Sequence, residues 1–265
     1  MLRCAPTRSR QLGFTITGLM ITVALGLSVI SSVVLGYLAT YKGSMNTLAN
    51  SKLTQEMNSM MDLMGNELRR AGYSAETTIA TTPASNSFNT VNSSALAVYN
   101  SMTSNTKQGS TGSGSCIVYS YDMDSDGVVD ANELSGFRLT TGGVVQLRTA
   151  GNTAAPDTCA TASNNWSDLT DPGFMTVSAL TFSLSASKCL NTREPDSVDS
   201  DANGAVDNAS EADCYTNVPT SGSGNITVET RVVTITITAN LTNDSFVRQS
   251  ISDTVRVRND WVRVR

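Results

Sequence analysis

The most specific chemical pattern in the chain is an acidic run that matches the twelve-residue calcium loop of the EF-hand. Ca²⁺ takes six to eight oxygen ligands at about 2.3–2.6 Å. The run offers such oxygens at positions 1, 3, 5, 7, 9 and 12, from Asp122, Asp124, Asp126, the carbonyl of Val128, Asp130 and Glu133. Gly127 stands at position 6, where the loop must turn sharply. The run therefore predicts a calcium site. The alternative, a solvated acidic turn, does not require this glycine and glutamate in register.

A second acidic run follows the same pattern less closely. Its candidate ligands are Asp199, Asp201, Asn203, the carbonyl of Ala205, Asp207 and Glu211. The match holds through position 9, but Ser210 stands at position 12 and Glu211 comes one residue late. The sequence predicts one calcium site at the first run and a second, weaker candidate here. Because β-like runs flank the first loop, we expect a static site with a dissociation constant of about 0.1–1 mM.

Cysteines bracket the second acidic run. The chain has five, at Cys4, Cys116, Cys159, Cys189 and Cys214. A disulfide between Cys189 and Cys214 would close the loop that carries this run, and Cys116 with Cys159 would form the other bridge. Four cysteines allow three pairings, and the sequence does not choose among them.

The composition excludes several classes of protein. The 265 residues include no histidine, which removes histidine-based catalytic triads and the usual zinc sites. The formal charge of −5 and the pI near 4.8 argue against a nucleic-acid partner. The glycines of residues 101–115 lack the strand–helix context of a phosphate loop. No pair of a nucleophile and a base is evident, so we expect a protein that is not an enzyme.

An apolar segment at the N-terminus must position everything that follows. The first residues carry Arg3, Arg8 and Arg10, and no further charge appears before Lys42. The apolar run over residues 14–41 exceeds the roughly 20 residues that a membrane-spanning helix needs. Basic residues stay on the cytoplasmic side, so the rest of the chain should lie outside the inner membrane, where disulfides form.

The helical pattern continues beyond the membrane segment. Apolar residues recur at spacings of three and four at Leu53, Met57, Met60, Met64 and Leu68. This predicts one helix of about 55 residues whose second half, within residues 42–73, packs on the following domain; a ligand-binding role for the stripe is the alternative. Arg69 and Arg70 suit the negative end of the helix dipole, and Gly72 is a suitable stop.

The residues that follow, 74–265, predict a globular β-rich domain. β-like runs occur at 96–99, 116–121, 137–149, 175–184, 227–241 and 246–257. The turn at 141–143 closes a hairpin within the third run. The fold class expected is α+β, with an antiparallel sheet packed on the exposed half of the helix.

The N-terminus resembles the type III leader of type IV prepilins. A basic leader ends in Gly13, and Phe14-Thr15-Ile16 opens the apolar helix. The resemblance implies that prepilin peptidase cuts between Gly13 and Phe14 and methylates Phe14. Residues 1–13 would then leave with Cys4, so that four cysteines remain. The strings MNSMMDLMGNELRRAGY (57–73) and SDTVRVRND (252–260) are similar to the PilW-like family of minor pilins and the related J-type pseudopilins.

The resemblance implies a long helix on an antiparallel sheet and a role in filament assembly. The implied partners are other minor pilins and the major pilin through the helix, prepilin peptidase, the inner-membrane assembly platform and a tip adhesin. The protein would start as a single-pass inner-membrane protein with a periplasmic domain and end in an extracellular pilus of a Gram-negative bacterium.

Gly18 departs from the family pattern. Most pilins carry glutamate as the fifth mature residue, where its carboxylate is thought to pair with a neighbouring subunit's terminal amine. One interpretation is that this subunit lies at or near the filament tip; the other is that neighbouring minor pilins supply the contact. The alternatives to a minor pilin are a type II secretion pseudopilin and a calcium-dependent adhesive domain held by an uncleaved anchor.

Overall fold

A long helix, α1, dominates the first part of the chain. The structure is a computed structural model, and it describes residues 13, 15–76, 82–160 and 164–265. α1 runs over Ile16–Arg70, which is 55 residues, as the apolar periodicity predicted. The chain forms two compact units, a first that ends at Ser51 and a second over Lys52–Arg265, and α1 contributes residues to both.

In the first unit, α1 exposes its apolar side chains. From Ile16 to Leu48 the large apolar residues are 46–78% exposed. The described residues contain one helix long and apolar enough to span a membrane, and it is α1. Its hydroxyls donate to carbonyls of the same helix, as Ser28 Oγ does to Leu25 O (2.8 Å) and Thr40 Oγ1 to Gly36 O (2.9 Å). The helix therefore satisfies its own polar groups, as a lipid environment requires.

In the second unit, α1 turns a buried stripe toward the strands. Leu53, Met57, Met64 and Leu68 are fully buried, and Met60 is 5% exposed. The prediction that this stripe is a packing face is confirmed. The helix ends as expected, because Arg69 and Arg70 occupy its last turn and Gly72 has φ +72°.

In the part of the chain that the structure describes, twelve strands and one short helix follow. They are β1 (Ala97–Tyr99), β2 (Ser113–Gly114), β3 (Cys116–Ser120), β4 (Leu134–Leu139), β5 (Val145–Ala150), β6 (Asn165–Asp168), β7 (Met175–Ser183), β8 (Lys188–Asn191), α2 (Ala209–Ala212), β9 (Ile226–Thr230), β10 (Val232–Leu241), β11 (Asp244–Arg256) and β12 (Trp261–Val264). Three-residue 3₁₀ turns occur at Pro83–Ser85, Ser87–Asn89 and Ala131–Glu133.

The strands form three antiparallel sheets, where the sequence predicted one. Sheet A has the order β1-β3-β4-β5-β6, sheet B has β11-β10-β7-β2, and sheet C has β12-β9-β8. The predicted hairpin at 141–143 joins β4 to β5, with Gly143 at φ +77°. The predicted strand 227–241 divides at Arg231 into β9 and β10, which belong to different sheets. At the break Arg231 is buried, its guanidinium donates to Leu96 O (2.7 Å), and its carbonyl accepts from the Val257 amide (3.0 Å).

The core lies between α1 and the sheets. β10 alternates between buried and half-exposed residues, and its buried members are Val233, Ile235, Ile237, Ala239 and Leu241. Gly65 of α1 faces β11, since a Cβ added there would lie 3.4 Å from Val255 Cγ2, in van der Waals contact. The fold is α+β, a long N-terminal helix packed on antiparallel sheets that carry two disulfides.

Candidate metal centre

The first acidic loop links two neighbouring strands of sheet A. β3 ends at Ser120, the loop follows, and the 3₁₀ turn Ala131–Glu133 leads into β4. Gly127 has φ +77°, so the sharp turn predicted at position 6 is present. Asp130 caps the 3₁₀ turn in a capping box with Glu133. The loop therefore has defined ends and a defined turn.

Glu133 is the organising residue of this loop. Its side chain is fully buried. Oε1 accepts the Met123 amide at 2.6 Å and Oε2 accepts the Asp130 amide at 2.9 Å. One carboxylate thus joins the beginning of the loop to its end. A buried carboxylate is costly unless it is hydrogen-bonded or bound to a cation, and these two bonds hold it in place.

The aspartates of the first loop converge around Glu133. Carboxylate oxygens of Asp122, Asp124 and Glu133 lie within 4.8 Å of one another, and so do those of Asp124, Asp126 and Asp130. Asp124 belongs to both groups, so the two form one continuous set. The Val128 amide donates to Asp126 Oδ1 (2.7 Å), which places position 7 beside the cluster. Five carboxylates around one loop form a hard-oxygen donor set that fits Ca²⁺.

The first loop is also tied to the end of α1. The Asp122 amide donates to Tyr73 O (3.0 Å), and Asp122 Oδ2 accepts the Ala75 amide (2.9 Å). The amide of Gly72, the residue before Tyr73, donates to Ser120 O (2.8 Å). The residues that leave the helix therefore run beside β3 and the first ligand position.

The second acidic loop repeats this design around Glu211. Glu211 is fully buried. Its Oε1 accepts the Ser200 amide and its Oε2 accepts the Asn208 amide at 2.8 Å. Asn208 caps α2 in a capping box with Glu211. Carboxylate oxygens of Asp199, Asp201 and Glu211 lie within 4.8 Å of one another.

The register of the second loop differs from the one predicted. Asn208 stands where Asp130 stands in the first loop, because each is the cap three residues before the buried glutamate. Asp207 has φ +55°, and its Oδ1 accepts the amides of Asp196 and Ser197, both at 2.8 Å. It clusters with Glu194 and Asp196 instead of with Asp199 and Asp201. The second loop is one residue longer than the first, and it accommodates this residue because Asp207 points away from the other candidate ligands.

The sequence contained a signal for this register. Asp130-Ala-Asn-Glu133 and Asn208-Ala-Ser-Glu211 are both a capping residue, an alanine, a polar residue and a glutamate. Alignment on this capping box gives the observed correspondence. The remaining predicted positions, Asn203 and Ala205, lie together in the loop, since the Ala205 amide donates to Asn203 Oδ1 (2.9 Å).

Two disulfides flank the acidic loops. Cys116 pairs with Cys159 (Cα–Cα 6.4 Å) and Cys189 pairs with Cys214 (Cα–Cα 5.2 Å), so that of the three possible pairings the one named in the sequence analysis is present. Cys116 and Cys159 are fully buried in a cluster with Ala97, Tyr99 and Val118. The first disulfide is therefore part of the core.

Arginines and a tryptophan support the first disulfide. Arg138 lies 4.0 Å from the centroid of the Trp166 ring and donates to Cys159 O (2.8 Å). Arg148 is 1% exposed and donates to Pro156 O, Thr158 O and Ser135 O. Burial lowers the pKa of Arg148 to about 10. Its charge is balanced mainly by carbonyl dipoles.

A similar arrangement lies near the second disulfide, but it contains a carboxylate. Arg231 and Arg263 lie on the Trp261 ring, each 4.1 Å from its centroid. The buried Glu229 accepts from Arg231 Nε (3.1 Å) and Arg263 Nη2 (2.8 Å). Burial and then the charge of Glu229 raise the pKa of Tyr215. The sequence analysis missed this network, because Arg263 and Glu229 are 34 residues apart and no local pattern links them.

The predicted processing site lies at the edge of the described residues. Gly13 is described and exposed, whereas Phe14 and residues 1–12 lie outside the described part of the chain. Gly18, the residue that departs from the glutamate of the family pattern, donates its amide hydrogen to Thr15 Oγ1 at 3.2 Å.

Comparison with known proteins assigns the family. A family model described as prepilin peptidase-dependent protein B matches residues 46–257, which is more than half of the chain. No curated protein and no solved structure gives a significant match. The matched region includes the buried half of α1, both acidic loops, both disulfides and the three sheets except β12. This chain belongs to the prepilin peptidase-dependent protein B family of pilin-related proteins.

Proposed function

We propose that this chain is a minor pilin of the PilW-like kind that takes part in the priming or tip complex of a type IV pilus. Prepilin peptidase cuts after Gly13 and the new N-terminal Phe14 is methylated. The apolar half of α1, within residues 14–41, holds the subunit in the inner membrane, with the leader cytoplasmic and residues 42–265 periplasmic. The subunit then enters an extracellular filament. Its role is structural rather than catalytic.

The observation that carries the proposal is the division of α1 into two chemically distinct halves. From Ile16 to Leu48 the apolar residues are exposed, whereas Leu53 to Leu68 form a buried stripe. In water the exposed half is unfavourable, at about 25 cal/mol per Å² of apolar surface. A lipid bilayer before assembly and the packed helices of other minor pilins and the major pilin after assembly both remove that cost. A family defined by dependence on prepilin peptidase supports the same use.

The test is the intact mass and N-terminal residue of the protein from membranes with and without prepilin peptidase. We expect a mature chain that begins at methylated Phe14 in the first case and an uncut chain in the second. Gly13→Val should block cleavage. Gly26→Ala is the matched control, because Gly26 lies inside the helix with open space around it. Uncut protein in the presence of active peptidase would contradict the proposal and favour a tethered adhesive domain.

A type II secretion pseudopilin is the second candidate, because the family match supports a pilin-like subunit of either filament. Deletion of the gene distinguishes them. Loss of surface pili with normal enzyme secretion supports the minor pilin, and the reverse result supports the pseudopilin. At the filament tip the assembly platform adds no subunit above this one, and a tip adhesin is its neighbour. If the subunit lies there, Gly18→Glu should not increase the number of pili.

We also propose that the first acidic loop binds Ca²⁺ as a structural ion and that the second binds it more weakly. The support is the donor set: a buried glutamate at the loop end and aspartates whose oxygens lie within 4.8 Å of one another. When bound, the ion would neutralise this charge. The ligands would be Asp122, Asp124, Asp126, the carbonyl of Val128, Asp130 and Glu133 in the first loop, with Asp199, Asp201 and Glu211 forming the core of the second.

Thermal unfolding with calcium and with chelator tests this proposal. A ligand at 100 times its dissociation constant stabilises by about 2.7 kcal/mol, which corresponds to a rise of about 5–10 °C in Tm for a domain of this size. Glu133→Gln should remove most of the shift and Glu211→Gln less of it. Asp244→Asn, at an exposed hairpin outside both loops, is the matched control. An equal Tm with calcium and with chelator would overturn the proposal.

A further inference from the structure

A groove runs along the outer edge of β12. Its volume is about 540 Å³, within the range of about 300–1,000 Å³ that is typical of ligand pockets. All residues from Trp261 to Arg265 line it, on both faces of the strand. A groove on one face of a strand would contact alternate residues, because side chains alternate in direction. This groove therefore follows the strand edge. Its other walls include Asn89, Val91 and Val218.

The edge that faces the groove carries free backbone groups. β12 is the outer strand of sheet C and pairs with β9. Arg265 points its amide and carbonyl toward the β9 side, because its amide donates to Asn225 O and its carbonyl accepts from Gly224. Since these groups alternate along a strand, those of Val262 and Val264 point outward. Within the described residues no backbone hydrogen bond reaches them, although the 3₁₀ turn Pro83–Ser85 packs beside β12 and Ala84 lines the groove. Such an edge can accept another strand.

The groove has an excess of positive charge. Arg263 and Arg265 line it, and no aspartate or glutamate does. Glu229 binds Arg263, but it is shared with Arg231. Burial lowers the pKa of Arg263; the charge of Glu229 opposes this shift, and the positive charges of Arg265 and Arg231 add to it. The Nε atoms of Arg263 and Arg265 are buried, and among the described residues neither has a hydrogen-bond partner.

The rim of the groove is apolar. Val91, Val218 and Val264 are each at least half exposed. Strand addition uses backbone hydrogen bonds for affinity and side-chain contacts for specificity. Free amides at the edge, arginines in the wall and valines on the rim match a segment that is extended, acidic and partly apolar. A second copy of β12 does not fit, because it would bring further arginines into the same groove.

We propose that the edge of β12 binds an extended acidic segment of a partner protein by strand addition. The segment pairs with the outward backbone groups of Val262 and Val264, and its carboxylates bind Arg263 and Arg265. This site lies outside both acidic loops. The inference does not depend on which filament the subunit enters.

The test uses the full chain in neutral detergent and a defined peptide probe. The probe is a fluorescent, end-capped hexapeptide of alternating threonine and glutamate, and its counterpart carries lysine in place of glutamate. We expect binding of the glutamate peptide by fluorescence anisotropy and at least tenfold weaker binding of the lysine peptide. Arg265→Glu should weaken binding of the glutamate peptide at least tenfold. Arg248→Glu is the matched control, since it makes the same charge change on the exposed strand β11 and should leave binding unchanged.

A second variant separates strand addition from simple charge attraction. Val264→Pro removes an outward amide and leaves the pairing of β12 with β9 intact, because proline is tolerated where the amide faces away from the sheet. It should weaken binding at least tenfold without lowering Tm. If both peptides bind equally, or if Arg265→Glu has no effect, the proposal is wrong. If Val264→Pro binds as tightly as the wild type, or an acidic polysaccharide binds better than the peptide, strand addition is wrong.

Discussion

Two regions of the second unit use the same set of devices with different electrostatics. Each has a disulfide, an acidic loop ended by a buried glutamate and a tryptophan contacted by two arginines. We call them the A region, with Cys116–Cys159 and Trp166, and the C region, with Cys189–Cys214 and Trp261. In the A region the arginines donate hydrogen bonds to carbonyl oxygens, whereas in the C region they donate hydrogen bonds to a buried carboxylate.

This difference indicates which of the two regions is the more rigid. The A region closes a longer loop, and its disulfide lies inside the core cluster. Its acidic loop keeps the twelve-residue register and bonds to the end of α1. The C region has an extra residue in its acidic loop and an open strand edge beside its arginines. The A region is built to hold a structure, and the C region leaves groups available for a partner.

Removal of the disulfides should distinguish the two regions most strongly. By chain entropy, the bridges with separations of 43 and 25 residues stabilise by about 4 and about 3.5 kcal/mol. Replacement of Cys116 and Cys159 by alanine also leaves space in the core cluster, so it should cost at least about 1 kcal/mol more than the same change at Cys189 and Cys214. Denaturant unfolding measures both. An equal or larger cost at Cys189–Cys214 would refute the ranking.

Neutralisation of the buried carboxylate should have the next largest effect. Glu229→Gln leaves Arg231, 5% exposed, without its partner, and loss of one member of a buried pair costs about 3–5 kcal/mol. In the A region, Asp157→Asn affects a pair with the partly exposed Lys107 and should cost about 1 kcal/mol or less. Comparable losses of unfolding free energy in the two variants would mean that the C region does not depend on its carboxylate.

The two acidic loops should respond differently at the aspartates predicted for position 9, Asp130 and Asp207. Asp130→Asn should weaken calcium binding about tenfold, which is about 1.4 kcal/mol. Asp207→Asn should change it less than about threefold, because Asp207 bonds to Asp196 and Ser197 and not to the ligand cluster. Calorimetric titration of each variant with calcium gives the comparison. A tenfold loss of calcium affinity in Asp207→Asn would show that Asp207 is a calcium ligand.

Alkaline pH should expose the smallest difference. Burial, and then a hydrogen bond with Asp157, raises the pKa of Tyr99 in the A region; burial and Glu229 raise the pKa of Tyr215 in the C region. A tyrosine pKa that is higher in the folded state means that the unfolded chain loses its proton first. Stability is therefore full below about pH 10 and falls above it.

Tyr99→Phe and Tyr215→Phe should each flatten this loss by a similar amount, because burial keeps both tyrosines protonated in the folded state across this pH range. Unfolding free energies measured from pH 8 to 11 test this. A profile that does not change in either variant would show that other groups control the alkaline limit.

The sequence predicted features that depend on local pattern. The length of α1, its buried stripe, its stop at Gly72 and the hairpin of β4 and β5 all follow from spacing within a few residues, and all are present. The first acidic loop was found because a twelve-residue motif is local. The α+β class followed from the order of helix and strands.

The features that were missed depend on contacts between distant residues. The division of one apolar run into β9 and β10 falls at Arg231, whose side chain bonds to Leu96 O and whose carbonyl bonds to the Val257 amide, and alternation alone does not reveal these contacts. β12 is stabilised by β9, more than 30 residues earlier in the chain, and its four residues are too few to give a clear period. The displacement of Asp207 from the ligand cluster could not be predicted either, because it depends on the backbone conformation with which the second loop accommodates its extra residue.

The junction at the end of α1 has a mechanical consequence. Three backbone hydrogen bonds join it to separate strands or segments: Gly72 N to Ser120 O, Asp122 N to Tyr73 O and Arg258 N to Arg69 O. Tension applied along the helix passes through these bonds at the same time, into β3 and into the segment that follows β11. The load is thereby shared between sheet A and the C-terminal part of the chain, and the acidic loop that begins at Asp122 lies directly on the path of the force.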